Sequence, residues 1–193
     1  MLRVGILSLQ GDFAAHARLV DRFGGQPSEV RTAKDLAVVE ALILPGGESS
    51  AMLRLMAPEK LDERINDRIR AGMAVLATCA GVILLARKVE PDQSSLGLLD
   101  VDVARNAYGR QLHSSIESLR LDSRLGSPDE MEGVFIRAPR ITRVGKGVTV
   151  LAWRDRDPVL VTSGRVLAAT FHPELTTESR VHKYFLHLVG CHG

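Results

Sequence analysis

The stretch Ala74-Val75-Leu76-Ala77-Thr78-Cys79-Ala80-Gly81 decides the fold. Ala74 to Ala77 is apolar without alternation, as in a strand covered on both faces, and such strands belong to parallel sheets flanked by helices. A helix is predicted from about Ala80 to Arg87, so the chain turns from strand to helix at Thr78-Cys79. Upstream the same alternation repeats. Val4 to Leu9 reads as a strand, followed by a helix that Asp12 caps and that carries Phe13, Leu19, Val20 and Phe23 towards Gly24-Gly25. Ala41-Leu42-Ile43-Leu44 is another buried strand and ends at Pro45-Gly46-Gly47. Helices are expected from Ser50 to Met56 and from Glu59 to Ala71, the second with Leu61, Ile65 and Ile69 on one face.

Downstream of residue 95 the segments are strand-like: Leu98 to Ala104, Ser115 to Leu121, Val134 to Ile136 and Val148 to Trp153. Val159-Leu160-Val161 and Val166 to Phe171 form an expected hairpin joined through Ser163-Gly164 by a two-residue turn. A last helix runs from about Glu178 to Val189, and Glu90 to Ser95 reads as a loop. With no repeat, low-complexity tract or interdomain linker, residues 1–193 are expected to form one α/β domain. It has three α/β/α layers around a mostly parallel central sheet, with a late β-hairpin.

Composition narrows the function. Hydrophobic residues at 45% and charged residues at 25% fit a globular protein, and aromatics at 4% imply an aliphatic core. A formal net charge of +2, with scattered arginines, gives no reason to expect a nucleic-acid or membrane partner. The apolar stretches fall short of the ~20 residues of a membrane helix. Cys79 and Cys191 do not resemble a disulfide framework, so a cytoplasmic, reducing compartment is expected.

Three segments that directly follow strands carry chemistry. At a tight strand-to-helix turn with small neighbours, Cys79 is projected from the sheet as a nucleophile, and the next N–H points at a developing oxyanion. A buried structural cysteine would show the same local pattern. Phe171-His172-Pro173-Glu174 offers His172 as a general base, with Glu174 two residues on to fix its tautomer; alone, it reads better as a solvated surface turn. Pro45-Gly46-Gly47-Glu48-Ser49-Ser50 can turn main-chain N–H groups towards an anion ahead of a helix, or serve only as a capped turn. No nucleotide-binding glycine motif and no cluster of His and Cys at zinc spacing is present in the sequence, so no metal is expected.

In this order, the three segments resemble those of class I glutamine amidotransferases. The match narrows through Leu9-Gln10-Gly11, Pro45-Gly46-Gly47-Glu48-Ser49, Thr78-Cys79-Ala80-Gly81, Arg105-Asn106-Ala107-Tyr108-Gly109-Arg110-Gln111, Phe135-Ile136-Arg137-Ala138-Pro139 and Phe171-His172-Pro173-Glu174-Leu175-Thr176. Together these are similar to the glutaminase subunit of pyridoxal 5'-phosphate synthase, over nearly the whole chain. Two positions depart from the family pattern: Ala77 stands where the elbow commonly begins with glycine, and Ser50-Ala51 stands where hydroxyl residues are more usual.

The resemblance implies a flavodoxin-like class I amidotransferase fold and hydrolysis of L-glutamine to glutamate and ammonia by Cys79, His172 and Glu174. It implies an oxyanion hole from the N–H groups of Gly47 and Ala80, and a glutamine pocket formed by Gly47, Glu48, Ser49, Arg105, Ile136 and Arg137. The guanidinium groups of Arg105 and Arg137 suit a carboxylate, and Ile136 suits a wall or backbone role. The implied partner is a (β/α)8-barrel synthase subunit that consumes the ammonia. Pyridoxal phosphate is then the complex's product, and no cofactor of this chain is expected. Docking is expected to reorganise the Gly46-Gly47 peptide and raise a weak basal activity. The alternatives are a glutaminase serving another synthase, such as imidazole glycerol phosphate synthase, a cysteine hydrolase of similar architecture, and a non-catalytic flavodoxin-like binding subunit. His16, His113, His182, His187 and His192 belong to no motif and are expected to be solvated or helix-face residues.

Overall fold

The computed structural model describes residues 1–107 and 114–190. The elements run β1 (Arg3–Leu7), α1 (Phe13–Arg22), β2 (Gln26–Val30), α2 (Ala33–Ala37), β3 (Ala41–Leu44), α3 (Ser49–Met56), α4 (Leu61–Arg70), β4 (Ala74–Thr78) and α5 (Ala80–Leu85). There follow β5 (Ala86–Glu90), β6 (Leu99–Ala104), β7 (Ser114–Leu121), β8 (Glu130–Ile136), β9 (Arg140–Val144), β10 (Thr149–Arg154), β11 (Asp157–Ser163), β12 (Val166–Ala169) and α6 (Arg180–Val189).

The central sheet has nine strands in the order β2-β1-β3-β4-β12-β11-β10-β7-β8. From β2 to β12 neighbouring strands are parallel, and from β12 to β8 they are antiparallel. Successive residues of the parallel strands feed opposite layers. Leu42, Leu44, Val75 and Ala77 pack with Met52 and Met56 of α3 and Leu61, Ile65 and Ile69 of α4. Ala41, Ile43, Ala74 and Leu76 pack with Val20 of α1 and Val181 and Phe185 of α6. Three layers result because each apolar run must cover both faces. The small sheet β5-β6-β9 joins the first of these clusters through Val89, Leu99, Val101, Val103 and Ile141.

Asp12 caps α1 as expected, accepting from Ala15 N at 3.2 Å, and Leu61, Ile65 and Ile69 are the buried face of α4. Several expectations are corrected. The helix after Cys79 ends at Leu85, because Ala86 turns to extended backbone and opens β5, which runs to Glu90. The hairpin pairs Ser163 with Val166, so its two-residue turn is Gly164-Arg165 rather than Ser163-Gly164. The last helix starts at Arg180, two residues later than expected. β2, α2 and β9 had no apolar pattern to announce them.

This topology places the chemistry. β3, β4 and β12 are adjacent and parallel, with Leu44 beside Ala77, Ala77 beside Ala168 and Thr78 beside Ala169. Their carboxyl ends therefore lie on one edge of the sheet, where parallel α/β folds gather their loops. The Pro45-Gly46-Gly47 loop, Cys79 and His172 leave those three ends. Ala77 is fully buried between β3 and β12, so its methyl is part of the core packing.

Candidate active site

Cys79 occupies the single residue between β4 and α5, with φ 47° and ψ −104°, a strained conformation for an L residue. Its N–H is anchored on Ala169 O at 2.8 Å. The following turn is packed against β3: a Cβ on Gly81 would stand 2.2 Å from Leu44 O, so glycine is required there. Sγ is 3.8 Å from the carbonyl oxygen of Ile136. As the first N–H of α5, that of Ala80 has no intrahelical acceptor.

His172 is tied to β8 by its N–H, which donates to Val134 O at 2.8 Å. Nδ1 lies 2.7 Å from Glu174 Oε1, which leaves the ring's other nitrogen free of Glu174, and Cys79 and the ring line the same cavity. Burial presses the His172 pKa down, but the bonds to Cys79 and Glu174 outweigh it and raise the value to about 10. Glu174 sits in a short 3-10 turn, Pro173–Leu175, with its side chain 1% exposed. Burial pushes its carboxyl up; the hydrogen bond from His172, with the neighbouring His16 and the charge on His172, reverses this and holds it below the usual range.

The glycine loop closes on the ring. A Cβ on Gly46 would lie 2.4 Å from His172 Cε1, and one on Gly11 would lie 1.8 Å from Gly46 O. Gly47 has φ +154°, which L side chains rarely adopt. Glu48 caps α3, accepting from Ser50 Oγ at 2.9 Å and Ser50 N at 3.3 Å, and its own N–H donates to Gln10 Oε1 at 3.0 Å. Hydrogen bonds from Ser50 hold the Glu48 carboxyl below its ordinary range, aided by Arg105 and Arg137. Arg105 Nη2 is 3.7 Å from Glu48 Oε1, and its Nη1 donates to Gln93 Oε1, which also accepts from Ser49 Oγ at 3.1 Å. Arg137 has φ 45°, in the left-handed region.

One cavity of about 290 Å³ is lined by Gly47, Glu48, Ser49, Cys79, Ala80, Arg105, Ile136, Arg137 and His172. Every residue that the sequence assigned to the site is thus at its wall except Glu174, which lies behind His172. Gln10, Asp12, Ile83 and Asn106 also line it, and Gln93 binds two of its residues. Gln93 belongs to a loop without any motif, and no local signal marks it.

The histidine expectation is partly wrong. His187 is exposed, but His16 on α1 and His182 on α6 are fully buried behind Glu174. His16 lies four residues before the buried Val20, a spacing that marks the inward stripe of α1. His113, Cys191, His192 and the Tyr108-Gly109-Arg110-Gln111 part of the motif lie outside the described residues.

The chain is similar to known proteins over nearly its whole length. Pyridoxal 5'-phosphate synthase subunit PdxT of Solibacter usitatus is 51% identical over 191 residues, covering 96% of this chain and 98% of that protein. The PdxT of Thermotoga sp. strain RQ2 is 46% identical over 189 residues, covering 97% and 100%. A crystal structure of a glutamine amidotransferase superposes with a TM-score of 0.89 at 44% identity, covering 97% of this chain and 98% of that one. The model of one family matches residues 6–190, the span from β1 to the end of α6 that builds this cavity, and the chain belongs to that family, the SNO glutamine amidotransferases.

Proposed function

We propose that this chain is the glutaminase subunit of a pyridoxal 5'-phosphate synthase, hydrolysing L-glutamine to L-glutamate and ammonia with Cys79, His172 and Glu174 as its triad. One observation carries the triad: Cys79 and His172 line the same strand-end cavity, with Glu174 on the ring's far nitrogen. The Cys79 thiolate attacks the carboxamide carbon. His172, held as an imidazolium, gives its proton to the amide nitrogen as the C–N bond breaks and ammonia leaves a thioester. Water then attacks the thioester carbon, His172 takes the water's proton, and the C–S bond breaks to release glutamate. The N–H groups of Gly47 and Ala80 are the proposed donors to the tetrahedral oxyanion, a contribution of about 2.7 to 4 kcal/mol per donor in comparable sites.

Arg105 and Arg137 at the wall supply charge for the substrate's carboxylate, with Glu48 available to its ammonium group. Their presence there favours this family's pocket over that of glutaminases serving other synthases. Ammonia is lost to water unless a second subunit consumes it, and the name of the relatives, a synthase subunit, supports such a partner. We take that partner to be a (β/α)8-barrel synthase and the compartment to be the cytoplasm; among the described residues no helix is long and apolar enough to cross a membrane. The core shared by both sheets supports one glutaminase domain over the chain.

Labelling with a glutamine-mimicking diazoketone tests the site. Mass spectrometry should find one adduct, on Cys79, with glutamine protecting it. Labelling that glutamine does not slow would contradict the pocket.

A further inference from the structure

Behind the triad, three elements bring buried polar side chains together. His16 Nε2 of α1 lies 3.5 Å from Glu174 Oε2 and 3.3 Å from Thr78 Oγ1, at the end of β4, and His16 Nδ1 lies 3.0 Å from His182 Nε2 of α6. His16 and His182 are both fully buried, and Glu174 Oε2 is a buried acceptor with no hydrogen bond among the described residues, His16 Nε2 being the polar group that faces it.

The geometry limits where the protons sit. If His16 Nδ1–H donated to His182, His182 Nδ1 would be a buried N–H without an acceptor among the described residues, and a bare His16 Nε2 would face a carboxylate oxygen. Both cost free energy. In the other arrangement His182 Nε2–H donates to His16 Nδ1, and His16 Nε2–H faces Glu174 Oε2 and Thr78 Oγ1. Only a lone pair, on His182 Nδ1, is then left over. Neutral rings fit this arrangement, since burial lowers the pKa of His16 and lowers that of His182 to about 3.

We propose that His16 is a positioning residue of the glutaminase reaction. Its Nε2–H faces Glu174 Oε2 while His172 Nδ1–H holds Oε1, so the carboxylate stays ionised and fixed in the plane that orients His172. His182 acts one step further back by fixing the tautomer of His16. The charged and titratable groups that face His16 are Glu174 from the 3-10 turn, His182 from α6, His172 beyond Glu174, and Asp12 from the cap of its own helix. The proposal rests on the triad reading above.

The test is the pH profile of glutamine hydrolysis by the full chain with its synthase subunit, for wild type, His16→Leu and His16→Gln, with Cys79→Ala as control. Losing an N–H that faces a buried carboxylate should lower kcat about ten- to a hundred-fold in His16→Leu with KM little changed. Its acid limb should rise by about one pH unit, because Glu174 then protonates more easily. His16→Gln keeps an N–H near the Nε2 position and should restore the limb and most of the rate. A folded His16→Leu with the wild-type limb overturns the proposal, as does a His16→Gln that loses rate equally without moving the limb. If His16→Leu fails to fold, His182→Leu carries the test: the limb should rise by a smaller amount, and an unmoved limb overturns the proposal. Activity surviving in Cys79→Ala would instead refute the triad itself.

Discussion

His172 Nδ1 and Glu174 Oε1 lie 2.7 Å apart, with the carboxylate buried behind the ring and the ring lining the same cavity as Cys79. Replacing Glu174 by Gln keeps the shape but puts an amide where the ring needs an acceptor, so His172 is released to the wrong tautomer. We predict a loss of about 10²- to 10⁴-fold in kcat, by analogy with the Asp-to-Asn change in serine protease triads. Glutamate release by purified Glu174→Gln measures it; a loss under tenfold would show that Glu174 does not orient the ring.

The interactions of His172 with Cys79 and with Glu174 make stability depend on pH. The folded pKa of His172 is raised to about 10 from 6.5, so its contribution is complete below about 6.5 and is lost as pH rises to about 10. Glu174 is held below 4.5, so its contribution is present above 4.5 and is lost as pH falls through the lowered value. Urea midpoints of wild type should therefore drop from pH 6.5 to pH 10 by more than those of His172→Gln. Equal drops would refute the assignment.

The glycines divide by what a methyl would meet. Gly11→Ala combines φ +97° with a contact of 1.8 Å to the backbone oxygen of Gly46, and Gly81→Ala meets Leu44 O at 2.2 Å. Both should destabilise the fold by roughly 3 kcal/mol or more. Gly97, at φ +64° with nothing within 4 Å of the added methyl, should lose only about 1 to 2 kcal/mol as Ala. Gly46→Ala should act on turnover as well, because the methyl would strike the ring of His172 at 2.4 Å. Thermal melts and glutaminase rates of the four variants check this order.

Ala77 is fully buried, and its methyl fills space in the core. Ala77→Gly, though it matches the commoner elbow, should lower stability by about 1 kcal/mol or more and leave kcat within a factor of a few. A large gain in kcat would show instead that the methyl distorts the elbow.

Arg105 and Arg137 are the proposed carboxylate partners. Arg105→Lys keeps the charge and removes the planar fork, and should raise KM for glutamine about tenfold or more with a smaller change in kcat. Steady-state kinetics decide it; an unchanged KM would leave Arg105 as a partner of Gln93 and Glu48 alone.

What was legible in the sequence follows from burial. β1, β3 and β4 are buried on nearly every residue, so their apolar runs announce a parallel core and, with it, the edge where Cys79 and His172 emerge. β2 lies at the sheet edge, contains Pro27 and buries only Val30, so nothing in its composition distinguishes it from a loop. β9 buries only Ile141 and stands out no better. In the site, residues next to glycine or strand-end motifs were found, because the motif is the local geometry. His16 and Gln93 were missed as site residues since their partners are distant: His16 meets Thr78, Glu174 and His182, and Gln93 meets Ser49 and Arg105. A helical-period reading of α1 would have placed His16 on its buried face, but not against a carboxylate.

Hydrolysis of glutamine by Cys79 in the service of a synthase is measured as glutamate release from this chain alone and with a pyridoxal phosphate synthase subunit, with Cys79→Ala as control. Hydrolysis should be stimulated by the synthase and abolished by the substitution. Activity that persists in Cys79→Ala, or no turnover in a confirmed complex, would contradict it.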